Sequence, residues 1–130
     1  MLFSRTLFQA ASKKTTGLFG VPVNPNARSE LISIYKQTLA ELKQKIPTYA
    51  VYRQATESIT LQRLAVAESN EDVNKIESLL NTENIEELVM VAEDELKLVD
   101  FMAECKPWEP LEEPPVKGQW DYFKKAPEFE

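Results

Sequence analysis

The 130-residue sequence contains no histidine, a single cysteine and only three glycines. The lack of histidine excludes Ser–His–Asp triads, Cys–His dyads and zinc or haem centres that need an imidazole ligand. One cysteine, Cys105, cannot form an internal disulfide, a thiolate cluster or a C-x-x-C redox pair. Gly17, Gly20 and Gly118 cannot build a G-x-G-x-x-G turn or a P-loop. These absences favour a binding or structural role over catalysis, with no cofactor and no metal.

Charge is distributed unevenly along the chain. The net charge is −6, and all 21 acidic residues lie from Glu30 onward. This balance argues against a nucleic-acid partner, which normally requires a basic face. Residues 1–16 are basic, hydroxyl-rich and free of acids, which is typical of a mitochondrial import helix; an N-terminus that lacks acids by chance is the alternative. No apolar run approaches 18 residues, so the sequence predicts no transmembrane helix.

Helical periodicity dominates the central part of the chain, which contains one proline and no glycine between residues 26 and 105. Apolar residues at three-four spacing predict helices over 25–46 and 85–105. The segment 48–69 predicts a helix that bends near Thr60, and a short helix follows. We therefore predict an all-α fold: a small antiparallel helical bundle with three main helices, the middle one broken.

Helix starts and faces can also be predicted. Asn24 is expected to cap the first helix with Pro25 at its first position, and Asn70 to cap the short helix. Asn84, followed three residues later by Glu87, resembles a capping box at the start of the last helix. The first inward face of the middle helix is predicted to contain Tyr49, Tyr52, Ala55 and Ile59.

Prolines divide the chain into three predicted regions: a basic N-terminal arm at 1–24, the bundle at 25–105 and an extended tail at 106–130. The tail contains five of the eight prolines and both tryptophans. Proline prevents helix formation and favours an extended polyproline-like chain. Large aromatic side chains on a stiff segment are typical of an anchor. The tail either packs on its own bundle or docks on another protein, and the two are compatible.

Acidic residues concentrate between Glu83 and Glu113. One interpretation is a carboxylate metal site that uses Glu86, Glu93 or Asp94. However, the Glu-x-x-His motif of di-iron bundles and the spaced ligands of hard-cation loops are both missing. A solvated acidic face that docks a basic partner is the favoured interpretation.

Short motifs occur in a fixed order over about residues 12–122. They are Lys13-Lys14-Thr15-Thr16-Gly17-Leu18, Ile46-Pro47, Tyr52-Arg53, Ile59-Thr60, Ile85-Glu86-Glu87, Ala92-Glu93, Glu95-Leu96, Trp108-Glu109-Pro110-Leu111, Glu112-Glu113-Pro114-Pro115 and Gln119-Trp120. In order and spacing they resemble the alpha subcomplex subunit 5 family of mitochondrial NADH:ubiquinone oxidoreductase (complex I). The chain departs from that family by some ten extra residues before Lys13 and by an extension past Trp120.

The resemblance implies a non-catalytic accessory subunit of the matrix arm of complex I, which supports assembly and stability and binds no flavin or iron–sulfur cluster. It implies a peripheral location on the matrix side of the mitochondrial inner membrane, through the complex alone. The expected partners are core and accessory subunits of the matrix arm, above all the thirty-kilodalton core subunit of the quinone module, and not a second copy of the chain. The alternative is a free matrix assembly factor or adaptor. The residues predicted to bind partners are Lys13, Lys14, Leu18, Trp108, Pro110, Leu111, Pro114, Pro115 and Trp120.

Overall fold

The computed structural model describes residues 13–119 and Tyr122. The four helices in this part of the chain are α1 (Ala27–Lys45), α2 (Val51–Ser69), α3 (Val73–Leu79) and α4 (Ile85–Cys105). No strand occurs among the described residues, so the predicted all-α class is confirmed. None of these helices combines the length and the apolar character that a bilayer crossing needs.

Helix α1 is the central element, because it packs against both α2 and α4. Arg28, near the start of α1, donates hydrogen bonds to the carbonyls of Ala67 and Asn70 at the end of α2, 3.0 and 2.8 Å away. These two helices therefore run in opposite directions. Lys45, at the end of α1, pairs with Asp100 near the end of α4. Helices α1 and α4 therefore run in the same direction, and α3 connects α2 to α4.

Two apolar clusters hold the helices together. The first lies at the end where α1 and α4 begin, and the second at the end where they finish. Burying each large aliphatic side chain contributes about 1.5–3 kcal/mol. The first cluster contains Ala27, Leu31, Tyr35, Leu64, Ala67, Ile76, Ile85, Leu88, Val89 and Ala92. The second contains Leu42, Ile46, Ala50 and Val99, with Tyr52, Met102 and Trp108 packed against them.

Helix α2 differs from its prediction in two respects. It is continuous from Val51 to Ser69, so the predicted break near Thr60 is wrong. Its predicted face is also wrong at three positions, because Tyr49, Ala55 and Ile59 are exposed. The residues that α2 buries are Thr56, Thr60, Leu64 and Ala67. A threonine inside a helix costs at most about 0.7 kcal/mol relative to alanine, so the packing of α2 against α1 outweighs this cost.

The first two predicted caps are displaced by two residues. Asn26, not Asn24, occupies the N-cap position of α1. The Asn24 side chain instead accepts the Asn26 N–H at 2.9 Å, forming an Asx turn before the helix. Asp72, not Asn70, caps α3 by accepting the Asn74 N–H at 3.0 Å. Two Asx residues precede each of these two helices, and sequence alone does not choose between them.

Candidate docking surface

Both ends of residues 13–24, here called the arm loop, contact the carboxylate of Glu86. The Lys13 ammonium lies 2.9 Å from Glu86 Oε2. The Asn24 N–H donates to Glu86 Oε1 at 3.1 Å. A loop of this length whose ends lie close together is an Ω-loop. Glu86 therefore fixes both ends of the arm loop to the first turn of α4, and it is only 5% exposed.

Lys13 also joins the loop to the N-terminus of α4 through a second carboxylate. It donates to Glu77 Oε1 at 2.7 Å and to Asn84 Oδ1 at 3.0 Å. Glu77 Oε1 in turn accepts the Ile85 N–H at 2.9 Å, which places negative charge at the positive end of the helix. Asn84 occupies the N-cap position of α4, as predicted, but its side chain makes no cap bond, so the predicted capping box with Glu87 is wrong.

The pKa values of this ion cluster follow from its geometry. Partial burial opposes the charge on Lys13, but the bonds to Glu77 and Glu86 outweigh it and raise the pKa of Lys13. Burial likewise opposes the charge on Glu86, but Lys13 and backbone N–H groups lower the pKa of Glu86. Both groups are therefore charged at neutral pH. Glu86, one of the residues considered as a metal ligand, is an ion-pair partner here.

Thr16 organises the middle of the arm loop. Its hydroxyl donates to the Val21 carbonyl at 2.6 Å and accepts the Leu18 N–H at 3.2 Å. Gly17 and Gly20 adopt φ values of 75° and 77°, a left-handed conformation that side-chain-bearing residues rarely adopt. These features force a tight excursion of the chain between the two glycines.

The excursion exposes two apolar side chains. Leu18 is 40% exposed, and Phe19 is fully exposed. A large aromatic side chain that gains nothing from its own bundle is a typical anchor for a partner protein. Sequence reasoning selected Leu18 but missed Phe19, although its position inside the Gly17-to-Gly20 turn was a usable signal.

The tail forms the second apolar surface. Helix α4 ends at Cys105, and the next residue, Lys106, adopts a left-handed φ of 47° and donates its N–H to the Met102 carbonyl at 3.0 Å. The chain then turns so that Trp108 packs, half-buried, on the second apolar cluster. A groove of about 340 Å³, here called the Trp108 groove, is lined by Tyr49, Ala50, Val51, Tyr52, Met102, Pro107 and Trp108.

The remaining predicted partner-binding residues fall into three groups. Lys13 is bound within the chain, whereas Lys14 is exposed. Trp120 lies outside the described residues. Helix α4 has 21 residues, which puts its two ends about 30 Å apart. The exposed tail residues follow the C-terminal end of α4, and they are Pro110, Leu111, Pro114 and Pro115.

The surfaces of the described residues indicate a class of protein. The described residues bring no three Cys, Asp or Glu side chains together in a way that could hold a metal ion. Among the apolar surfaces that they expose are a loop tip at one end of α4 and an aromatic groove at the other. Such a molecule belongs to the class of small helical proteins that bind other proteins.

Comparison with known proteins gives the family. A family described as "ETC complex I subunit conserved region" matches residues 20–87. The NADH dehydrogenase (ubiquinone) 1 alpha subcomplex subunit MCI4 of Candida albicans is 43% identical over 122 residues, covering 94% of this chain and 88% of that protein. The alpha subcomplex subunit 5 proteins of Mus musculus and Bos taurus are 43% and 42% identical over 110 residues, covering 85% of this chain and 94% of each. The chain belongs to the alpha subcomplex subunit 5 family of NADH dehydrogenase (ubiquinone), respiratory complex I, which confirms the resemblance of its motifs.

Proposed function

We propose that the chain is a non-catalytic accessory subunit of the matrix arm of mitochondrial complex I. In this role it supports assembly and stability of the complex that transfers electrons from NADH to ubiquinone. The names of the relatives support this proposal, since they are subunits of NADH dehydrogenase (ubiquinone), and that of the Arabidopsis thaliana relative includes "mitochondrial". The acid-free residues 1–16 agree with import into the organelle.

The observation that carries the proposal is the pair of apolar surfaces at the two ends of α4. The arm loop presents Phe19, and the tail presents the Trp108 groove. Aromatic side chains in such positions supply most of the binding energy of an interface when a partner buries them. Two contacts about 30 Å apart fix the orientation of a rod-like bundle on a larger body.

We further propose that these surfaces meet core and accessory subunits of the matrix arm, with the thirty-kilodalton core subunit of the quinone module as the main partner. Lys14, Leu18 and the exposed tail residues would line the contact. Membrane association then arises through the complex, on the matrix side of the inner membrane. The acidic residues of the chain, 21 in all, favour protein partners over nucleic acid.

Incorporation of variants into the complex tests this proposal. Phe19→Ala removes a side chain that contributes nothing to the isolated fold, so we expect unchanged thermal stability but about tenfold weaker incorporation. Truncation after Cys105 removes the second surface and should have an equal or larger effect. The measurement is a native gel of detergent-solubilised mitochondria, in which each tagged variant competes with the native chain for comigration with NADH dehydrogenase activity.

Leu61→Ala is the matched control, because Leu61 is an exposed apolar residue on α2 away from both surfaces. It should incorporate like the native chain. If the native chain formed a stable pool of small species and never comigrated with the activity, it would be a free assembly factor or adaptor instead.

A further inference from the structure

A small cavity of about 70 Å³ lies between α2 and α4, with α1 as its floor. It exists because α2 and α4 each pack mainly on α1 rather than on each other. Its apolar walls include Ile59 and Val91. Its polar lining comes from all three helices and consists of Tyr35, Thr38, Thr56, Thr60, Arg63 and Glu95.

The Tyr35 hydroxyl is the first sign that something enters this cavity. Tyr35 is only 4% exposed, its ring belongs to the first apolar cluster, and its hydroxyl oxygen faces the Arg63 guanidinium, which can only donate, so its own O–H has no acceptor among the described residues. Burying a donor without an acceptor costs about 1–3 kcal/mol. Burial raises the pKa of Tyr35, and the charge of nearby Arg63 opposes this shift only in part. The hydroxyl is therefore protonated at neutral pH and can donate a hydrogen bond.

Arg63 is the second sign. The other two arginines in the described part of the chain are engaged: Arg28 by carbonyls of α2, and Arg53 by the Ile46 carbonyl and Glu57. Arg63 has no carboxylate within 4.0 Å among the described residues. A guanidinium carries five donors and no acceptor, so it lacks a counter-charge here.

The remaining polar groups of the lining leave Arg63 and Tyr35 available. Glu95, the one carboxylate of the lining, accepts the Tyr52 hydroxyl at 2.6 Å and is not paired with Arg63. The Thr38 hydroxyl donates to the Ile34 carbonyl at 2.9 Å. The cavity therefore presents the Arg63 guanidinium, which has no carboxylate partner among the described residues, beside the Tyr35 O–H, which has no acceptor there, on a wall that also carries apolar side chains.

We propose that this cavity receives the carboxylate of an acidic side chain from a neighbouring subunit, with Arg63 as its charge partner and the Tyr35 hydroxyl as a second donor. A guanidinium and a carboxylate match in shape and form two parallel hydrogen bonds. A volume of about 70 Å³ has room for about two water molecules, which suits a carboxyl group and excludes a nucleotide or flavin. The inference rests on the proposed function, because it assumes that the chain docks on other subunits.

Substitutions at two positions, Tyr35 and Arg63, separate this role from a structural one. Tyr35→Phe keeps the ring and removes a buried O–H that has no acceptor within the described part of the chain, so the thermal stability of the isolated chain should change little. The same variant should incorporate into the complex roughly fivefold less well, because the carboxylate loses a donor.

Arg63→Gln should reduce incorporation about tenfold. Arg63→Lys should restore part of the incorporation, because lysine keeps the charge but lacks the two parallel donors of the guanidinium. Lys43→Gln, which removes an exposed positive charge from α1, is the control and should have no effect.

A chemical cross-link identifies the partner directly. In the Arg63→Lys variant, incorporated into intact complex, a zero-length carbodiimide reagent joins the new amine to a carboxylate in direct contact. We expect mass spectrometry to find position 63 linked to an aspartate or glutamate of another subunit. Cross-links only within the chain, or none, would overturn the inference.

The two proposals fail in different ways. If the native chain does not comigrate with NADH dehydrogenase activity, the proposed function fails. If the chain comigrates normally while Tyr35→Phe and Arg63→Gln incorporate like the native chain, the cavity holds solvent only. In that case the inference is overturned and the proposed function stands.

Discussion

The two ends of the bundle hold their flanking segments by different physical means. Where α4 begins, the arm loop is fixed by Lys13 and by the Asn24 N–H, both bound to Glu86. Where α4 ends, the tail is fixed by the Trp108 side chain, which packs on an apolar cluster. The first attachment is directional and charged, and the second is apolar and needs no fixed angle.

This difference explains which side chains each end of the bundle can expose to a partner protein. Hydrogen bonds at defined atoms place the arm loop in one position, so a side chain as costly to expose as Phe19 is held at a fixed point. Apolar packing lets Trp108 cover the end of the bundle and still contribute to a groove of about 340 Å³. The two ends should therefore respond differently to substitution and to pH.

Glu86→Ala should have the largest effect on stability. It leaves the partly buried Lys13 ammonium with one carboxylate and the Asn24 N–H with none. Removing one member of a buried ion pair costs 3–5 kcal/mol, and because Lys13 is 29% exposed we expect about 3 kcal/mol here. Urea unfolding of the isolated chain, followed by far-ultraviolet circular dichroism, measures the change.

Glu93→Ala is the matched control, since Glu93 lies on the same helix but is exposed. We expect its free energy of unfolding to stay within about 0.5 kcal/mol of the native value. Equal effects of the two substitutions would mean that Glu86 acts as ordinary surface charge and that the arm loop is not fixed by it.

Trp108→Ala should have the next largest effect, about 2 kcal/mol. Truncating a buried tryptophan costs about 3–5 kcal/mol, and Trp108 is half-buried. The loss should be the same in 0.05 and 0.5 M salt, because no charge is involved. The urea midpoint at both salt concentrations is the measurement.

Leu111→Ala provides the comparison within the tail, because Leu111 is exposed and should leave stability within about 0.5 kcal/mol. A Trp108→Ala effect as small as that of Leu111→Ala would mean that the tail does not pack on the bundle in solution.

The two ends also differ in how far sequence could predict them. Helix α4 has its predicted bounds, because its apolar residues keep helical spacing over nearly five turns. Trp108 was predicted as an anchor from composition alone, because aromatic residues among prolines are unusual. Sequence could not predict that Glu86 fixes the arm loop. A glutamate on a helix is normally expected to be exposed, and the burial of Glu86 depends on Lys13, which is remote in sequence.

Helix α2 and the cavity show the same limit. A search for apolar spacing passes over Thr56 and Thr60, so it placed the wrong residues inward. The pairing of Tyr35 with Arg63 depends on how two helices lie side by side, and no local pattern contains that information. Local periodicity thus predicts helices well, whereas contacts between polar residues on different elements require the structure.

The smallest predicted effect concerns the pH dependence of the charged end. Because folding lowers the pKa of Glu86, its stabilisation is present above the ordinary glutamate value of 4.5 and is lost as pH falls through the folded value. Lys13 has the opposite sign: folding raises its pKa, so its contribution is lost only as pH rises through that higher value.

Glu86→Gln keeps an oxygen for the Asn24 N–H and removes the charge, so it should cost about 1.5 kcal/mol at pH 7.

The difference in free energy of unfolding between the native chain and Glu86→Gln should therefore narrow as pH falls from 7 to 3, because the unfolded native chain takes up a proton at Glu86 near the ordinary value of 4.5, before the folded chain does. The difference in free energy of unfolding between the native chain and Trp108→Ala should stay constant over the same range, since apolar packing binds no proton. Urea unfolding midpoints at four pH values measure both differences. A Glu86→Gln gap that persisted unchanged at pH 3 would show that the amide disturbs packing, and that charge does not hold the arm loop to α4.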